Sequence, residues 1–151
     1  MANLVDRKRL YVPAAGGLYD VLAPLAPTLV RVTLGAILIP HGFGKVFGND
    51  AVHAANNFVK FGWSFPLAWA YFIGCLEFFG GIALVLGLFT RAIALAFAIE
   101  MGVIAFAVLW PNWEWAHHGM EYAVFMGLIA ISILWRGSGP YALDNLMAKE
   151  F

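Results

Sequence analysis

Residues 92–110 read AIALAFAIEMGVIAFAVLW and carry one charged residue, Glu100. Three other stretches, 24–47, 65–88 and 118–135, are nearly as apolar. A helix needs about 20 residues to cross the hydrocarbon core of a bilayer. The runs show no period-two alternation, and the open edges of a sheet cannot be satisfied in lipid. The sequence therefore predicts an all-α fold: an integral membrane four-helix bundle.

The composition supports this prediction. Of 151 residues, 62% are hydrophobic and 12% are charged, whereas a soluble domain carries about 25% charged residues. Nine Lys and Arg residues balance nine Asp and Glu residues, which argues against a nucleic-acid partner. Cys75 is the one cysteine, so one chain cannot build a disulfide, a CxxC redox pair or a thiolate metal cage. We expect a lipid bilayer as partner, no metal site and no intrinsic cofactor.

The joints between the apolar stretches are short. Three residues, Phe89-Thr90-Arg91, separate the second and third stretches, which predicts a tight antiparallel hairpin with Thr90 capping the third helix. Residues 48–64 begin with a capping Asn-Asp pair and continue with apolar residues at helical spacing, as in a short helix lying in the membrane interface.

We divide the chain into three parts. Residues 1–23 form a cytoplasmic or interfacial N-terminal segment, residues 24–136 form the four-helix transmembrane domain, and residues 137–151 form a cytoplasmic C-terminal tail. Four spans place both termini on one side. That side carries the Lys and Arg residues near both ends and in the hairpin, so the positive-inside rule predicts that both termini are cytoplasmic.

Several ionisable residues lie inside the predicted spans. Each costs a few kcal/mol on insertion scales and therefore needs a partner or a purpose. Arg31, His41 and Lys45 fall within a sector of about 80° on the first helix. Depths at about 1.5 Å per residue predict one layer that pairs Arg31 with Glu77, with Glu100 as a further candidate member, and another that pairs Lys45 with Glu121, with His41, His117 or His118 nearby.

These charged layers have two interpretations. They are either ion pairs that fix the helix register, or a site that binds a polar head group such as a quinone or relays protons. Glu100 lies away from the small-residue stripe of its own helix and is predicted to face a second subunit, or lipid as a neutral acid. Cys75 is predicted to pack beside Gly74, and the Gly80-Gly81 pair to permit close helix contact.

Five blocks of sequence, taken in order, resemble a DoxX family membrane protein. The blocks are Arg31 with Leu34-Gly35, residues 41–48 (HGFGKVFG), residues 77–81 (EFFGG) leading to 87–91 (GLFTR), residues 119–123 (GMEYA) and residues 139–144 (GPYALD). The resemblance implies a four-helix bundle in a bacterial or archaeal cytoplasmic membrane. It also implies functional roles for Arg31, His41, Lys45, Glu77, Arg91, Glu121 and Asp144.

The resemblance and the buried charges together suggest a subunit of a quinone-linked redox system. In this hypothesis the hydrogen-bonding or proton-exchanging groups, the candidate catalytic residues, are His41, Glu77 and Glu121. Their charge partners or quinone-binding residues are Arg31, Lys45, Arg91 and Asp144. The chain itself would lack a redox centre and would borrow a quinone or the cofactor of a partner.

Two alternatives stay open at this point. The chain is a non-enzymatic accessory or assembly subunit, forming a homo-oligomer or part of a larger membrane complex, or it is a conduit for small solutes or protons. The conduit ranks lowest because the sequence shows no inverted repeat.

Overall fold

The computed structural model describes residues 6–147, and that range is helical without any strand. The first five and last four residues, which belong to the predicted segments 1–23 and 137–151, lie outside the described residues. The α-helices are α1 (Gly16–Leu22), α2 (Ala26–Phe47), α3 (Asp50–Lys60), α4 (Pro66–Cys75), α5 (Gly81–Leu86), α6 (Thr90–Val103) and α7 (Glu121–Arg136). Short 3₁₀ turns are Arg7–Arg9, Pro13–Ala15, Ala23–Leu25, Trp115–His117 and Leu143–Leu146.

Two wide π turns extend these helices. The first, Leu76–Gly80, joins α4 to α5, and the second, Ile104–Leu109, continues α6. In the described range, three continuous helical stretches are long and apolar enough to cross a membrane: Pro13–Phe47 (35 residues), Pro66–Leu86 (21 residues) and Thr90–Leu109 (20 residues). The chain is therefore a multi-pass integral membrane protein.

The fourth predicted stretch is also helical, but shorter than predicted. It forms α7, which has 16 residues, fewer than the about 20 that a crossing takes. A short helix, α3, occupies the joint between the first two long stretches, as predicted. The structure thus contains every predicted helix.

The helices form three closely packed pairs. α2 packs against α5 and the first π turn, α6 packs against α7, and α3 packs against α4. The buried core between the first two pairs consists of Leu34, Leu38, Leu84, Phe97, Met101, Met126, Ala130 and Ile133 with neighbouring residues.

Glycines allow α2 to approach the second long stretch closely. A Cβ atom on Gly81 would lie 2.9 Å from the carbonyl oxygen of Gly35, and a Cβ atom on Gly42 would overlap the backbone of Phe78. A Cβ atom on Gly80 would lie 3.1 Å from Phe97. Such small residues let helix backbones meet, and the predicted packing role of Gly80 and Gly81 is confirmed.

The hairpin of the second and third stretches opens toward one end. α6 contacts α5 and the first π turn near the hairpin joint, whereas α4 diverges from α6. α3 and residues 61–65 border the open end. The divergence leaves a cavity of about 1040 Å³ between α4 and α6.

Candidate functional site

The cavity between α4 and α6 is an apolar groove with a small charged area. Its walls carry Phe58, Trp63, Trp69, Phe72, Ile99 and Val103, among other apolar residues. Its three ionisable side chains are Lys45, Glu77 and Glu100. We call the cavity with these three residues the polar groove. Mostly apolar walls with a few convergent polar groups are typical of a ligand site.

Lys45 and Glu77 form an ion pair in the polar groove. Lys45 Nζ donates a hydrogen bond to Glu77 Oε2, and the two side chains are 17% and 5% exposed. A Cβ atom on Gly74 would lie 2.7 Å from Lys45 Cβ, so this glycine lets α2 carry Lys45 close to α4. Glu77 lies in the first π turn, and such turns are frequent at functional sites.

This pair corrects the predicted ion pairs. Glu77 binds Lys45 and not Arg31, and Lys45 binds Glu77 and not Glu121. The predicted depths assumed straight helices with a uniform rise. The first long stretch is longer than assumed, and the second contains the wide π turn, so the true heights of the side chains differ from the predicted ones.

Glu100 joins the polar groove from α6. Its side chain is buried, with 5% exposure, and interacts electrostatically with Glu77 and Lys45. Glu77 is its hydrogen-bonding neighbour, and no other group among the described residues donates a hydrogen bond to its carboxyl oxygens. The groove therefore holds one ammonium group against two carboxyl groups.

The prediction that Glu100 faces lipid or a second subunit was wrong. α6 buries two faces: residues such as Ala94 and Phe97 belong to the core beside α7, and Glu100 lies on the groove side. Gly102 belongs to the predicted small-residue stripe, yet it does not pack against another helix: a Cβ atom there would meet nothing within 4 Å. The usable signal in the sequence was the isolation of this charge in its span, because such a charge is buried more often than it faces lipid.

Arg31 belongs to a different cluster. Its fully buried guanidinium donates from Nε to the carbonyl of Ser138 (3.0 Å), from Nη1 to those of Leu84 and Val85, and from Nη2 to that of Tyr141. Leu84 and Val85 lie in the last turn of α5, where carbonyl groups lack the usual i+4 amide partner; the carbonyl of Leu84 also accepts from the amide of Gly87 (3.1 Å). Arg31 therefore ties the end of α5 to the C-terminal segment.

Asp144 completes this cluster at the start of α6. Its carboxylate accepts hydrogen bonds from the amides of Phe89 (2.7 Å) and Thr90 (2.9 Å) and interacts electrostatically with Arg31. The prediction that Thr90 caps α6 was wrong, since its buried hydroxyl has no hydrogen-bond partner among residues 6–147. A carboxylate at these first amides is a favourable helix cap.

The turn between α5 and α6 leaves room for the cluster. Gly87 has φ of 70°, a conformation that favours glycine, and a Cβ atom there would lie 2.7 Å from Arg31 Nη1. Its carbonyl accepts a hydrogen bond from the amide of Asp144 (2.8 Å). We call Arg31, Gly87 and residues 138–144, with the helix ends that they bind, the C-terminal clasp.

The remaining predicted site residues lie outside the polar groove. His41 is exposed on α2, and Glu121 is half-buried in the first turn of α7. Arg91 Nη1 donates to the carbonyl of Leu134 (3.0 Å) near the end of α7. Cys75 is exposed and not the packing residue that the sequence predicted.

The long apolar helices and the buried charged residues of the polar groove define a multi-pass membrane protein with a largely apolar internal cavity. The chain belongs to the DoxX family, whose model matches residues 26–110. The matched range contains all three charged residues of the polar groove and ends before α7 and the C-terminal segment. No curated protein and no solved structure matched the chain. Over residues 6–147, no three His, Cys, Asp or Glu side chains come together as a metal site.

Proposed function

We propose that the chain is an integral membrane subunit of a quinone-linked redox system and that the polar groove binds the quinone head group. The observation that carries this proposal is the Lys45–Glu77 pair, buried at an apolar groove beside a second carboxyl group. An ammonium group has three N–H donors, so Lys45 can bind a ligand carbonyl while it remains bonded to Glu77. The apolar walls suit the ring and the hydrocarbon tail.

Proton exchange is the second part of the proposal. Catalytic proton transfer needs an acid or base within hydrogen-bond reach of the ligand. Glu77 and Glu100 both line the groove that would hold the head group. Because the chain has a single cysteine, the electrons would pass between the quinone and a cofactor held by a partner subunit.

We also propose a membrane placement with four spans. α7 is the fourth span, α3 lies in the interface, and both termini are cytoplasmic in a bacterial or archaeal cytoplasmic membrane. Exposed aromatic residues support two interfacial belts. One belt contains Trp63, Trp69, Trp110 and Trp113, and the other contains Trp135 and Tyr141.

Binding of a short-tailed quinone to the protein in lipid nanodiscs tests the proposed site. Trp63 and Trp69 line the groove, so a bound quinone should quench tryptophan fluorescence in a saturable way. Lys45→Met should weaken binding by about 10-fold to 100-fold, since a hydrogen bond to a charged group contributes about 1.5–3 kcal/mol.

Lys60→Met is the matched control, because Lys60 is an exposed lysine at the end of α3. It should bind the quinone like the unmodified protein. Absence of saturable quenching, or equal affinities for Lys45→Met and Lys60→Met, would contradict the proposal.

One observation favours an accessory or assembly role as the second candidate. Phe43, Phe47 and Phe79 are more than half exposed and, together with Phe78, form a continuous aromatic cluster on α2 and the first π turn. Such a face can pack against a helix of another subunit. Native purification that recovers a larger complex without bound quinone would favour this role over the first.

A further inference from the structure

We propose that Glu77 and Glu100 share one proton and that this carboxyl pair gives the proton to the ligand oxygen bound at Lys45 when the ligand is reduced. The inference rests on the proposed function, because it takes the same ligand in the same groove. It adds the source of one of the two protons that reduction of a quinone needs. It also gives a role to Glu100, a residue outside the blocks that carry the family resemblance.

A hydrogen bond joins the two carboxyl groups. Glu100 on α6 and Glu77 in the first π turn are hydrogen-bonding neighbours. Ionised carboxyl groups only accept hydrogen bonds, so a bond between two of them needs a proton on one oxygen. No other group in the described range donates to the oxygens of Glu100. The pair therefore holds a proton between its two carboxyl groups.

The charge balance of the groove also favours one shared proton. Glu77 and Glu100 are both buried, and both interact with the ammonium group of Lys45. One ammonium group balances one carboxylate, whereas a second carboxylate would stay unbalanced among apolar walls, so two carboxyl groups in one site share a proton. In the described range, α3, α4 and residues 61–65 add no further ionisable side chain to the cavity walls.

The shared proton lies beside the proposed ligand position. Lys45, Glu77 and Glu100 line the same cavity, and Lys45 bonds to Glu77 directly. A ligand oxygen that accepts a hydrogen bond from Lys45 is therefore next to the carboxyl pair, within one hydrogen bond or one bridging water. This is the reach that proton transfer requires. Apart from Lys45 itself, the pair is the one acid in the cavity walls among residues 6–147.

In the proposed step, the O–H bond of the carboxyl pair breaks and an O–H bond forms on the ligand oxygen at Lys45. Two electrons enter the quinone ring from an electron-transfer cofactor of a partner subunit, the electron source of the proposed function. The second quinone oxygen takes its proton from water. Quinone, two electrons and two protons thus give the hydroquinone, and water returns a proton to the pair.

Reduction of a bound short-tailed quinone by a reduced viologen tests the inference in lipid nanodiscs. A reduced viologen gives one electron and no proton, and the loss of its colour follows the reaction after rapid mixing. At saturating quinone, and after subtraction of the rate in empty nanodiscs, the rate of the unmodified protein should change little across the neutral pH range. Glu100→Gln should react about 100-fold more slowly, as for loss of an acid catalyst, and its rate should rise with the proton concentration.

Two features of the variants separate proton transfer from structure. Glu100→Gln keeps an N–H donor for Glu77, so its quinone affinity, measured by tryptophan quenching, and its thermal unfolding should be unchanged. Glu114→Gln is the matched control, because Glu114 is an exposed glutamate in the loop after α6. It should keep the rate and the pH profile of the unmodified protein.

Infrared spectra give a measurement that does not depend on activity. A protonated carboxyl group has a C=O band that shifts when heavy water replaces water. The unmodified protein and Glu114→Gln should show such a band, and Glu100→Gln should lack it. Absence of the band from the unmodified protein, or its persistence in Glu100→Gln, would overturn the inference even if Glu100→Gln folded poorly.

The outcomes separate this inference from the proposed function. If the quinone binds saturably and Glu100→Gln matches Glu114→Gln in rate and pH profile, the inference fails and the proposed function stands. If the quinone does not bind saturably, the proposed function fails, and the proton-transfer step fails with it whatever the infrared spectra show.

Discussion

The polar groove and the C-terminal clasp both bury charged side chains, but they differ in how those charges are satisfied. In the clasp, Arg31 and Asp144 bond to backbone groups at the ends of α5 and α6 and in the C-terminal segment. In the groove, Lys45 and Glu100 both interact with Glu77, and no backbone group bonds to Glu100 in the described part of the chain. Burial of a charge therefore does not by itself indicate a functional site; a group of charged side chains that bond to one another beside a cavity is the informative feature.

Arg31 and Asp144 in the clasp and Glu100 in the groove are expected to respond to mutation in opposite ways. The clasp binds carbonyl and amide groups that every helix end leaves without helical partners, so its loss should destabilise the protein. The carboxyl group of Glu100 in the groove has no N–H donor among the described residues. Replacement of this group should therefore stabilise the fold while it impairs ligand binding. Variants in each region test this contrast.

Arg31→Met should have the largest effect on stability. It removes the side-chain hydrogen bonds to four carbonyl groups, of which that of Leu84 keeps the amide of Gly87, and it leaves Asp144 without its buried cation. We expect a loss of about 3–5 kcal/mol in the free energy of unfolding. Thermal unfolding in detergent and the yield of folded protein measure it, with the exposed Arg136→Met as control. Equal stability of the two variants would end the contrast between clasp and groove.

Gly42→Ala tests the close helix contact that lies between the two regions. A Cβ atom there would overlap the backbone of Phe78, whereas a Cβ atom on Gly102 would meet nothing within 4 Å. Gly42→Ala should cost about 1–3 kcal/mol through overpacking, and Gly102→Ala should be neutral or stabilising. The same chemical change thus gives opposite results, as measured by thermal unfolding. A neutral Gly42→Ala would contradict the observed contact of α2 with the first π turn.

Asp144→Ala should have a smaller effect than Arg31→Met. It removes the cap from the amides of Phe89 and Thr90, a loss of about 0.5–2 kcal/mol. Limited proteolysis should cleave the C-terminal segment faster than in the unmodified protein. Asp144→Asn keeps one acceptor oxygen, and its stability should lie between those of Asp144→Ala and the unmodified protein. Unchanged proteolysis and unfolding would show that the clasp does not hold the segment.

Glu100→Met should have the smallest effect on stability, and in the opposite direction. Replacing a buried carboxyl group that lacks an N–H donor among the described residues should raise the free energy of unfolding by about 1 kcal/mol. Lys45→Met, which leaves Glu77 without its partner, should instead lower it. A destabilised Glu100→Met would indicate that Glu100 holds the fold together, and the groove would then resemble the clasp.

The helices were predictable because long apolar stretches leave few other structures in a membrane. The three-residue joint predicted a tight hairpin, but the second and third stretches meet only near the joint and diverge beyond it. The partners of the charges were not, since they depend on helix rotation and height. On α2, the buried residues are Arg31, Leu34, Gly35, Leu38 and Gly42, and His41 lies about 75° from the centre of this face at 100° per residue. Gly35 and Gly42 determine which face of α2 is buried, but they have no ionisable group. A prediction from the charged residues alone therefore places His41 too far inward.

The C-terminal segment shows a second limit of sequence interpretation. Residues 139–144 follow the last helix and resemble a solvated tail, yet Ser138 and Asp144 are buried. Nothing local in the sequence indicates that the segment returns to the ends of α5 and α6, because the contacts join residues more than 50 positions apart. Long-range hydrogen bonds of this kind require coordinates.

The divergence of α4 from α6 also determines how a ligand reaches the groove. Ile99 and Phe72 line the cavity and are 61% and 58% exposed on surfaces that face the hydrocarbon phase. Molecules dissolved among the acyl chains can enter sideways, so their concentration in the lipid, and not in water, governs occupancy. Acyl chains compete for the same space, and measured affinities should therefore vary with the lipid-to-protein ratio.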